Sequence, residues 1–252
     1  MSETFFSVVT IARNNLDGLR RTRESLLAQS NRDWQWVIVD GASTDGSAEV
    51  AMSWAAPNVT PVSEPDRGIY DAMNKGLRLA AGDYLLMMNS GDRFAAADVL
   101  DELRTILVRE PVDILYGASI MEFGRTRIPR KARSPGYIWH GQPGLHQATV
   151  FRRLAHLDYP YDTDFRLCGD YDVITRMWRD GLRFRSCAVT ISINEFSGDS
   201  ASGRHKLRLI GEAIRSQRRN LRLSWPVVGT SVALRAANSF GAKVLGYSRR
   251  AR

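Results

Sequence analysis

A chain of 252 residues that is 44% hydrophobic, 25% charged and 9% aromatic has a globular composition, which excludes disordered, collagen-like and disulfide-scaffold classes. Cys168 and Cys187 alone make neither a disulfide framework nor a four-cysteine zinc site, so a reducing compartment is expected. The net charge of +8 is uneven: residues 203–252 hold 12 Lys/Arg against Glu212 alone, while the other 202 residues hold 23 bases and 26 acids, a net of −3.

The N-terminal stretch MSETFFSVVTIARNN has an acid and no basic flank before its short apolar run, so it does not read as a secretion signal. No window approaches the roughly 18 uninterrupted apolar residues of a membrane span. Phe6 to Ile11 is the first β-rich run, and Leu16 to Ala28 has helical spacing through Leu19, Leu26 and Leu27. Trp36 to Val39 is a second strand, ended by Asp40-Gly41; Thr44 to Trp54 reads as a helix capped by Ser43 or Thr44. Val59 to Val62 is a third strand, Ile69 to Ala80 a third helix, Tyr84 to Met88 a fourth strand and Ala96 to Val108 a fourth helix. Continuous apolar strands spaced by helices predict βαβ units and a mostly parallel sheet flanked by helices. Right-handed crossovers then bring the C-terminal strand ends to one edge, where such folds bind ligands. Arg13-Asn14, Asp40, Glu64-Pro65-Asp66 and Asn89-Ser90-Gly91-Asp92 all fall there. Turn chemistry accounts for any one of these loops, but it does not require carboxylates at three of them.

After Asp113 the pattern loosens. Ile114 to Tyr116, Ile120-Met121 and Thr149 to Phe151 read as short strands around a basic stretch, Arg125 to Arg133. Tyr171 to Trp178 is helical, Ala188 to Ile193 is a late strand, and Phe196 to Gly203 is Gly/Ser-rich, a mobile loop or a linker. Leu207 to Leu221 is a basic amphipathic helix, and Trp225-Pro226 opens a last segment in which Phe240 and Tyr247 lie among arginines. The basic tail suits an anionic membrane surface; the acidic body argues against a nucleic-acid partner.

The sequence has no Gly-x-Gly-x-x-Gly after the first strand, no Gly-Lys-Ser/Thr phosphate loop and no Gly-x-Ser-x-Gly elbow. Dinucleotide redox chemistry, P-loop hydrolysis and α/β-hydrolase chemistry lose their main support. A carboxylate-lined crevice suits a ribose hydroxyl, a base edge and a cation that neutralises phosphates.

Six segments together resemble the inverting glycosyltransferases of family 2 with the GT-A fold, most of all bacterial exopolysaccharide enzymes of the colanic-acid type. They are SVVTIARNN at 7–15, WVIVDGASTDGS at 36–47, SEPDRGIYDAMNKG at 63–76, YLLMMNSGDRF at 84–94, HQATVFRR at 146–153 and CGDYDVITRMW at 168–178. The resemblance implies an α/β GT-A domain over residues 1–202, with a nucleotide-sugar-binding half at 1–116 and an acceptor and catalytic half at 117–202. Residues 203–252 would form a basic helical tail. Thr10, Ala12 and Asn14 would line the nucleotide pocket, and Asp40 with Gly41 would meet the base or ribose. Asp66, Gly68, Asp71, Asn74 and Lys75 would follow along the donor, with Asp71 and Asn74 on one helix face. Where the family normally ends its fourth strand Asp-x-Asp-Asp, this chain reads Asn89-Ser90-Gly91-Asp92, which leaves Asp92 as the direct ligand of Mg²⁺ or Mn²⁺.

Asp170, with Arg176 six residues on, matches the family's catalytic base, although Cys168-Gly169 replaces the usual acidic neighbour. Asp172 is its near rival and is expected to face solvent. His146 and Gln147 would lie near the donor phosphate or the acceptor, and Tyr137, Trp139 and His140 would form an acceptor wall. The reaction implied is transfer of a hexosyl or deoxyhexosyl group from a nucleoside diphosphate sugar to a hydroxyl of a glycan or lipid-linked acceptor, with inversion. It would take place in the cytoplasm at the inner face of the cell membrane. Two alternatives stay open on the residues: a catalytically dead nucleotide-sugar-binding homologue, because of Gly91 and the missing Glu before Asp170, and a nucleotidyltransferase.

Overall fold

The computed structural model describes residues 4–196 and 203–236, except the side chains of 203–205. The 197–202 loop expectation and the tail aromatics Phe240 and Tyr247 lie outside the described residues. The first half is βαβ throughout: β1 (Phe6–Ala12), α1 (Leu16–Leu27), β2 (Trp34–Asp40), α2 (Ser47–Ser53), β3 (Val59–Ser63), α3 (Ile69–Leu79) and β4 (Tyr84–Met87). The four strands are parallel, in the order β3-β2-β1-β4.

Alternation along these strands feeds two cores. Phe6, Val8, Trp34, Trp36 and Ile38 pack on one face with Leu19 and Leu26 of α1, while Val9, Val37 and Val39 pack on the other with Met73 and Leu77 of α3. Both faces are covered, as a near-continuous apolar strand requires. The expected cap of α2 is displaced: the helix starts at Ser47, and Asp45 accepts from the Ser47 N–H and hydroxyl.

The second half adds antiparallel pairs to the parallel sheet. It contains β5 (Arg93–Phe94), α4 (Val99–Arg109), β6 (Ile114–Phe123), β7 (Thr126–Arg130), β8 (Thr149–Arg152), α5 (Arg153–Leu157), α6 (Gly169–Arg179) and β9 (Phe184–Glu195). Of these strands only β9 joins a parallel pair, with β6; β8 runs antiparallel between β4 and β6, β5 lies antiparallel on β9, and β6 and β7 form a hairpin. With no crossover helix between β6 and β7, antiparallel pairing is the direct solution. The short strands Ile114 to Tyr116 and Ile120-Met121 are one ten-residue strand, and the basic stretch supplies its partner β7.

The basic segment is docked on the body. α7 (Gly203–Arg219) is followed by a helical stretch at 225–236, here α8. Glu212 of α7 accepts the backbone N–H groups of Arg166, Leu167 and Cys168, and Ala213, Ser216, Gln217, Asn220, Val228 and Ser231 are buried. Its outer face exposes Leu207, Leu209, Trp225 and Leu234. No helix among the described residues is long and apolar enough to cross a membrane.

Candidate active site

Four loops meet at the C-terminal edge of β1–β4, and hydrogen bonds tie each to the next. Asn14 joins the first to the second: its N–H donates to Ser43 Oγ (2.8 Å) and its Oδ1 accepts from Thr44 N (2.8 Å). Asn15 caps α1 by accepting from Gly18 N and also donates to the Ser90 carbonyl (3.0 Å), while Ser90 Oγ donates back to the Asn15 carbonyl. The Asp40 carboxylate is fully buried and accepts from Ser43 N, Ser43 Oγ and Ser63 Oγ. Its neighbour Gly41 is required by close approach, since a Cβ there would lie 2.3 Å from Asp66 Oδ2. Asp66 in turn accepts from Gly68 N (2.8 Å), and Gly68, at φ +121°, makes the left-handed entry to α3. Asp71 closes the first turn of α3 by accepting from Arg67 N, which with the Arg67 and Lys75 charges holds its carboxyl below the usual range.

Beside this edge lies a cavity of about 480 Å³. Asn89, His146, Gln147 and Asp170 all contribute to its lining, so the loop after β4 and the base candidate share one space, while Asn14, Asp40, Asp66, Gly68 and Asp92 lie outside that lining. Asp170, in the first turn of α6, accepts from Tyr171 N (2.8 Å), and Gln142 and Tyr70 also donate to it. Burial of the group outweighs these donors and raises its carboxyl above the ordinary value. His146 lies 3.2 Å from the Tyr161 hydroxyl, which lies 3.1 Å from His156; burial lowers the two imidazoles to about 4 and about 3.

Asp92 is only 4% exposed. It accepts from Asn89 N (2.9 Å), Asn194 Nδ2 (3.0 Å) and Gln147, yet burial pushes its carboxyl up to about 7. Asn89 Oδ1, next to it in the turn, is buried with no hydrogen-bond partner. A polar oxygen in that state costs free energy until something donates to it or coordinates it. Gly91 has φ +105°, and a Cβ there would lie 3.4 Å from Oε2 of Glu195, which pairs with Arg21 (2.7 Å). Among the described residues no group of three His, Cys, Asp or Glu side chains is placed to hold a metal unaided.

Several expectations are redirected. The Thr10 hydroxyl is buried in the sheet and accepts from Trp36 Nε1 (2.9 Å), because alternation turns it to the α1 face; Ala12, two residues on, is buried on the same face. Asn74 does not share a ligand-facing role with Asp71: both ends of its amide are bonded to the backbone of Tyr161, at 2.8 Å each. Lys75 clamps the 64–66 loop instead, donating to the Pro65 carbonyl (2.7 Å) and pairing with Glu64 (2.8 Å). Tyr137, Trp139 and His140 are outside the lining of the main cavity and seat the C-terminal helices. His140 bonds Ser231, the Trp139 carbonyl accepts from Gln217, and Tyr137 packs edge-on against His140. Asp172 does not face solvent: it is fully buried against Arg176 (2.8 Å), Ser216 and Asn220, where it locks α6 to α7.

Sequence reasoning missed the residues that orient Asp170, Gln142 and Tyr70, and the arginines of the cavity, Arg130, Arg166 and Arg235. Gln142 and the arginines come from irregular or basic stretches with no periodicity to mark an inward face. Tyr70 falls in the segment that the resemblance gives to the donor, and nothing in its spacing marks it as a partner of Asp170.

The sequence pattern described as Glycosyl transferase family 2 matches residues 7–168. A glycosyltransferase of PGL/p-HBAD biosynthesis from Mycobacterium tuberculosis (strain ATCC 25618 / H37Rv) is 32% identical over 216 residues, covering 79% of this chain and 80% of its own length. The putative glycosyltransferase EpsE of Bacillus subtilis (strain 168) is 26% identical, covering 66% of this chain and 63% of its own. The fold is similar to that of S. aureus TarS 1–349 solved with UDP-GlcNAc, with a TM-score of 0.70 at 15% identity over 91% of this chain and 71% of that one. It also resembles the mannosyltransferase PcManGT from Pyrobaculum calidifontis solved with GDP-Man and Mn²⁺, with a TM-score of 0.63 at 18% identity, 96% and 79% covered. The curled α/β sheet is thus a GT-A fold, and the chain belongs to glycosyl transferase family 2, a glycosyltransferase by membership.

Proposed function

We propose that the protein transfers a hexosyl or deoxyhexosyl group, with inversion, from a nucleoside diphosphate sugar to a hydroxyl of a glycan or lipid-linked acceptor in exopolysaccharide or cell-surface glycan assembly. The single observation that carries this reading is Asp170 lining the same cavity as Asn89, with its carboxylate fixed by Tyr171 N, Gln142 and Tyr70. A general base must stand within reach of an acceptor hydroxyl, and a single displacement needs no second nucleophile. In its ionised form Asp170 takes the hydroxyl proton as the oxygen attacks the anomeric carbon; the nucleoside diphosphate leaves from the opposite side. The interlocked loops of Asn14, Asp40, Gly41, Asp66 and Gly68 are the place for the nucleoside.

The residues present fit a divalent cation that draws most of its ligands from the donor. Asn89 Oδ1 lacks a partner, and the buried Asp92 lacks a counter-charge strong enough to keep its carboxyl in the ordinary range. These two would hold the ion, which when bound neutralises diphosphate charge; Mg²⁺ commonly takes only one or two carboxylates beside water and phosphate oxygens.

The exposed Leu207, Trp225 and Leu234 on a basic surface support binding to the cytoplasmic face of an anionic membrane. Retention on phosphatidylglycerol liposomes, lost on neutral ones and in 0.5 M salt, is the expected sign; equal retention on both would refute it. The transfer itself is tested by a thermal-shift screen of UDP-, GDP- and dTDP-sugars with Mg²⁺ or Mn²⁺, followed by ¹H NMR of the product's anomeric proton. An inverted anomer is expected; retention of configuration would exclude single displacement.

A further inference from the structure

Three arginines line the cavity, and none faces a carboxylate partner among the described residues. Arg166 donates from Nη1 to the Arg67 carbonyl (2.8 Å), and Arg235 donates to the His140 carbonyl. Arg130, half-buried at the end of β7, has neither a hydrogen-bond nor an ion-pair partner for its guanidinium among the described residues. Acids are available in this half of the molecule but are committed elsewhere: Asp172 to Arg176, Asp162 to Arg215 and Arg219, and Glu122 to Arg93 and Arg127. Asp170 is the only carboxylate among the described residues that line the cavity.

Arg130 and Arg235 are partly buried while Arg166 stays exposed at the rim; a guanidinium drawn out of water is costly unless an anion meets it, and its planar fork suits phosphate oxygens bidentately. Burial and the neighbouring Arg133 already lower the basicity of Arg130, the expected strain on a cation held without its anion. These arginines come from β7, the segment before α6, and α8, not from the β1–β4 edge that carries the donor loops. Apolar surface adjoins them: Leu145, Phe196, Leu209 and Ala213 line the same space.

We propose that the acceptor presented to Asp170 carries a phosphate or diphosphate ester, held by Arg130, Arg166 and Arg235. The assignment rests on reading this cavity as the site of sugar transfer. It makes α8, the last described helix, part of the acceptor site as well as a surface element. The adjoining apolar wall would then run along a lipid bonded to that phosphate.

The test uses the full chain and three probes: farnesyl diphosphate, inorganic pyrophosphate and farnesol. Each is titrated calorimetrically with and without the nucleoside diphosphate and Mg²⁺ that give the largest thermal shift. Both diphosphates are expected to bind at least tenfold more tightly than farnesol, and to remain bound under saturating nucleotide. Arg130→Gln and Arg235→Gln should each weaken diphosphate binding tenfold or more while leaving the nucleotide thermal shift unchanged. Tighter binding of farnesyl diphosphate than of pyrophosphate identifies a lipid phosphate; equal binding identifies the phosphate alone. If Arg235→Gln unfolds through loss of the His140 contact, Arg130→Gln decides, because its guanidinium has no partner to lose among the described residues. Unaltered binding in Arg130→Gln, equal binding of farnesol, no diphosphate binding at all, or displacement by nucleotide would each overturn the proposal, the last by giving the arginines to the donor. Diphosphate binding in a protein that binds no nucleotide would instead sink the transferase reading and leave the phosphate site standing.

Discussion

Replacing Asp170 by Asn removes the proton acceptor while keeping the shape of the side chain. The amide oxygen still accepts from Tyr171 N, and the new NH₂ meets Gln142 and Tyr70, whose amide and hydroxyl can reverse to accept. The substitution also relieves the burial that raises the carboxyl, so the thermal midpoint should move by less than about 3 °C. The catalytic loss is of another size. General-base assistance is worth about 10²–10⁴ in rate, or about 3–5 kcal/mol of barrier, and that drop should fall on kcat with donor affinity unchanged. Because the folded-state pKa of Asp170 is raised, kcat/KM in the wild type should fall as pH decreases through a value above the ordinary 3.8, and the residual activity of Asp170→Asn should lack that limb. Asp172→Asn is the contrast. It strands Arg176 in a buried network and should cost about 3–5 kcal/mol of stability while sparing the acid limb. The assay is initial rate against pH from 4.5 to 9 with the donor found by thermal shift, alongside urea melts. An Asp170→Asn enzyme retaining more than a tenth of kcat, or keeping the same acid limb at lower amplitude, would remove Asp170 from the role of base.

Gly41→Ala places a Cβ 2.3 Å from Asp66 Oδ2, so the carboxylate must retreat by about 1 Å to reach ordinary contact. Nucleotide Kd should rise tenfold or more with little change in melting; an unchanged Kd by calorimetry would free Asp66 of any part in the donor site. Burial depresses His146 and His156 to about 4 and about 3 from 6.5, so both stay neutral in the folded protein where the unfolded chain takes up protons. Their stability contribution is therefore complete above pH 6.5 and is lost as pH falls toward 4. Between pH 7 and 5.5 the loss should reach about 2–3 kcal/mol by urea melts, about half of it absent in His156→Gln, and a flat profile would contradict the burial.

The first half of the fold was legible because its periodicities are strong. Val8, Trp36 and Ile38 alternate with Val9, Val37 and Val39, and the helices between them show one apolar stripe each. The second half was not, for a physical reason: β6 and β9 run past the sheet's central core, so Met121, Glu122 and Phe123 alternate around a hairpin instead of between two helical layers. At the site, residue types were readable but directions were not. Asp170 and Asp172 are two apart in one helix turn, a separation of about 200°, so one must face the cavity when the other faces α7; the sequence alone does not say which way α6 is rolled. That roll is set by α7, whose Ser216 and Asn220 bond Asp172 and whose Glu212 gathers three N–H groups just before α6.

The same contacts give the basic segment two distinct faces. A helix serving only to hold a membrane would gain nothing from Glu212, the single acid among residues 203–252, yet Glu212 points inward and fixes the Arg166-to-Cys168 turn at the cavity. Arg235, sixteen residues beyond α7, reaches the His140 carbonyl and the cavity wall. The charge asymmetry of the sequence therefore divides in two. The outer face exposes Leu207 and Trp225, the latter stacked by Arg218, while Arg235 turns inward and lines the same cavity as Arg130. Docking to an anionic surface and presentation of a charged acceptor to Asp170 would then use two faces of one helical pair. A substitution of the inner face should change acceptor binding without changing liposome retention, and a substitution of Trp225 should do the reverse.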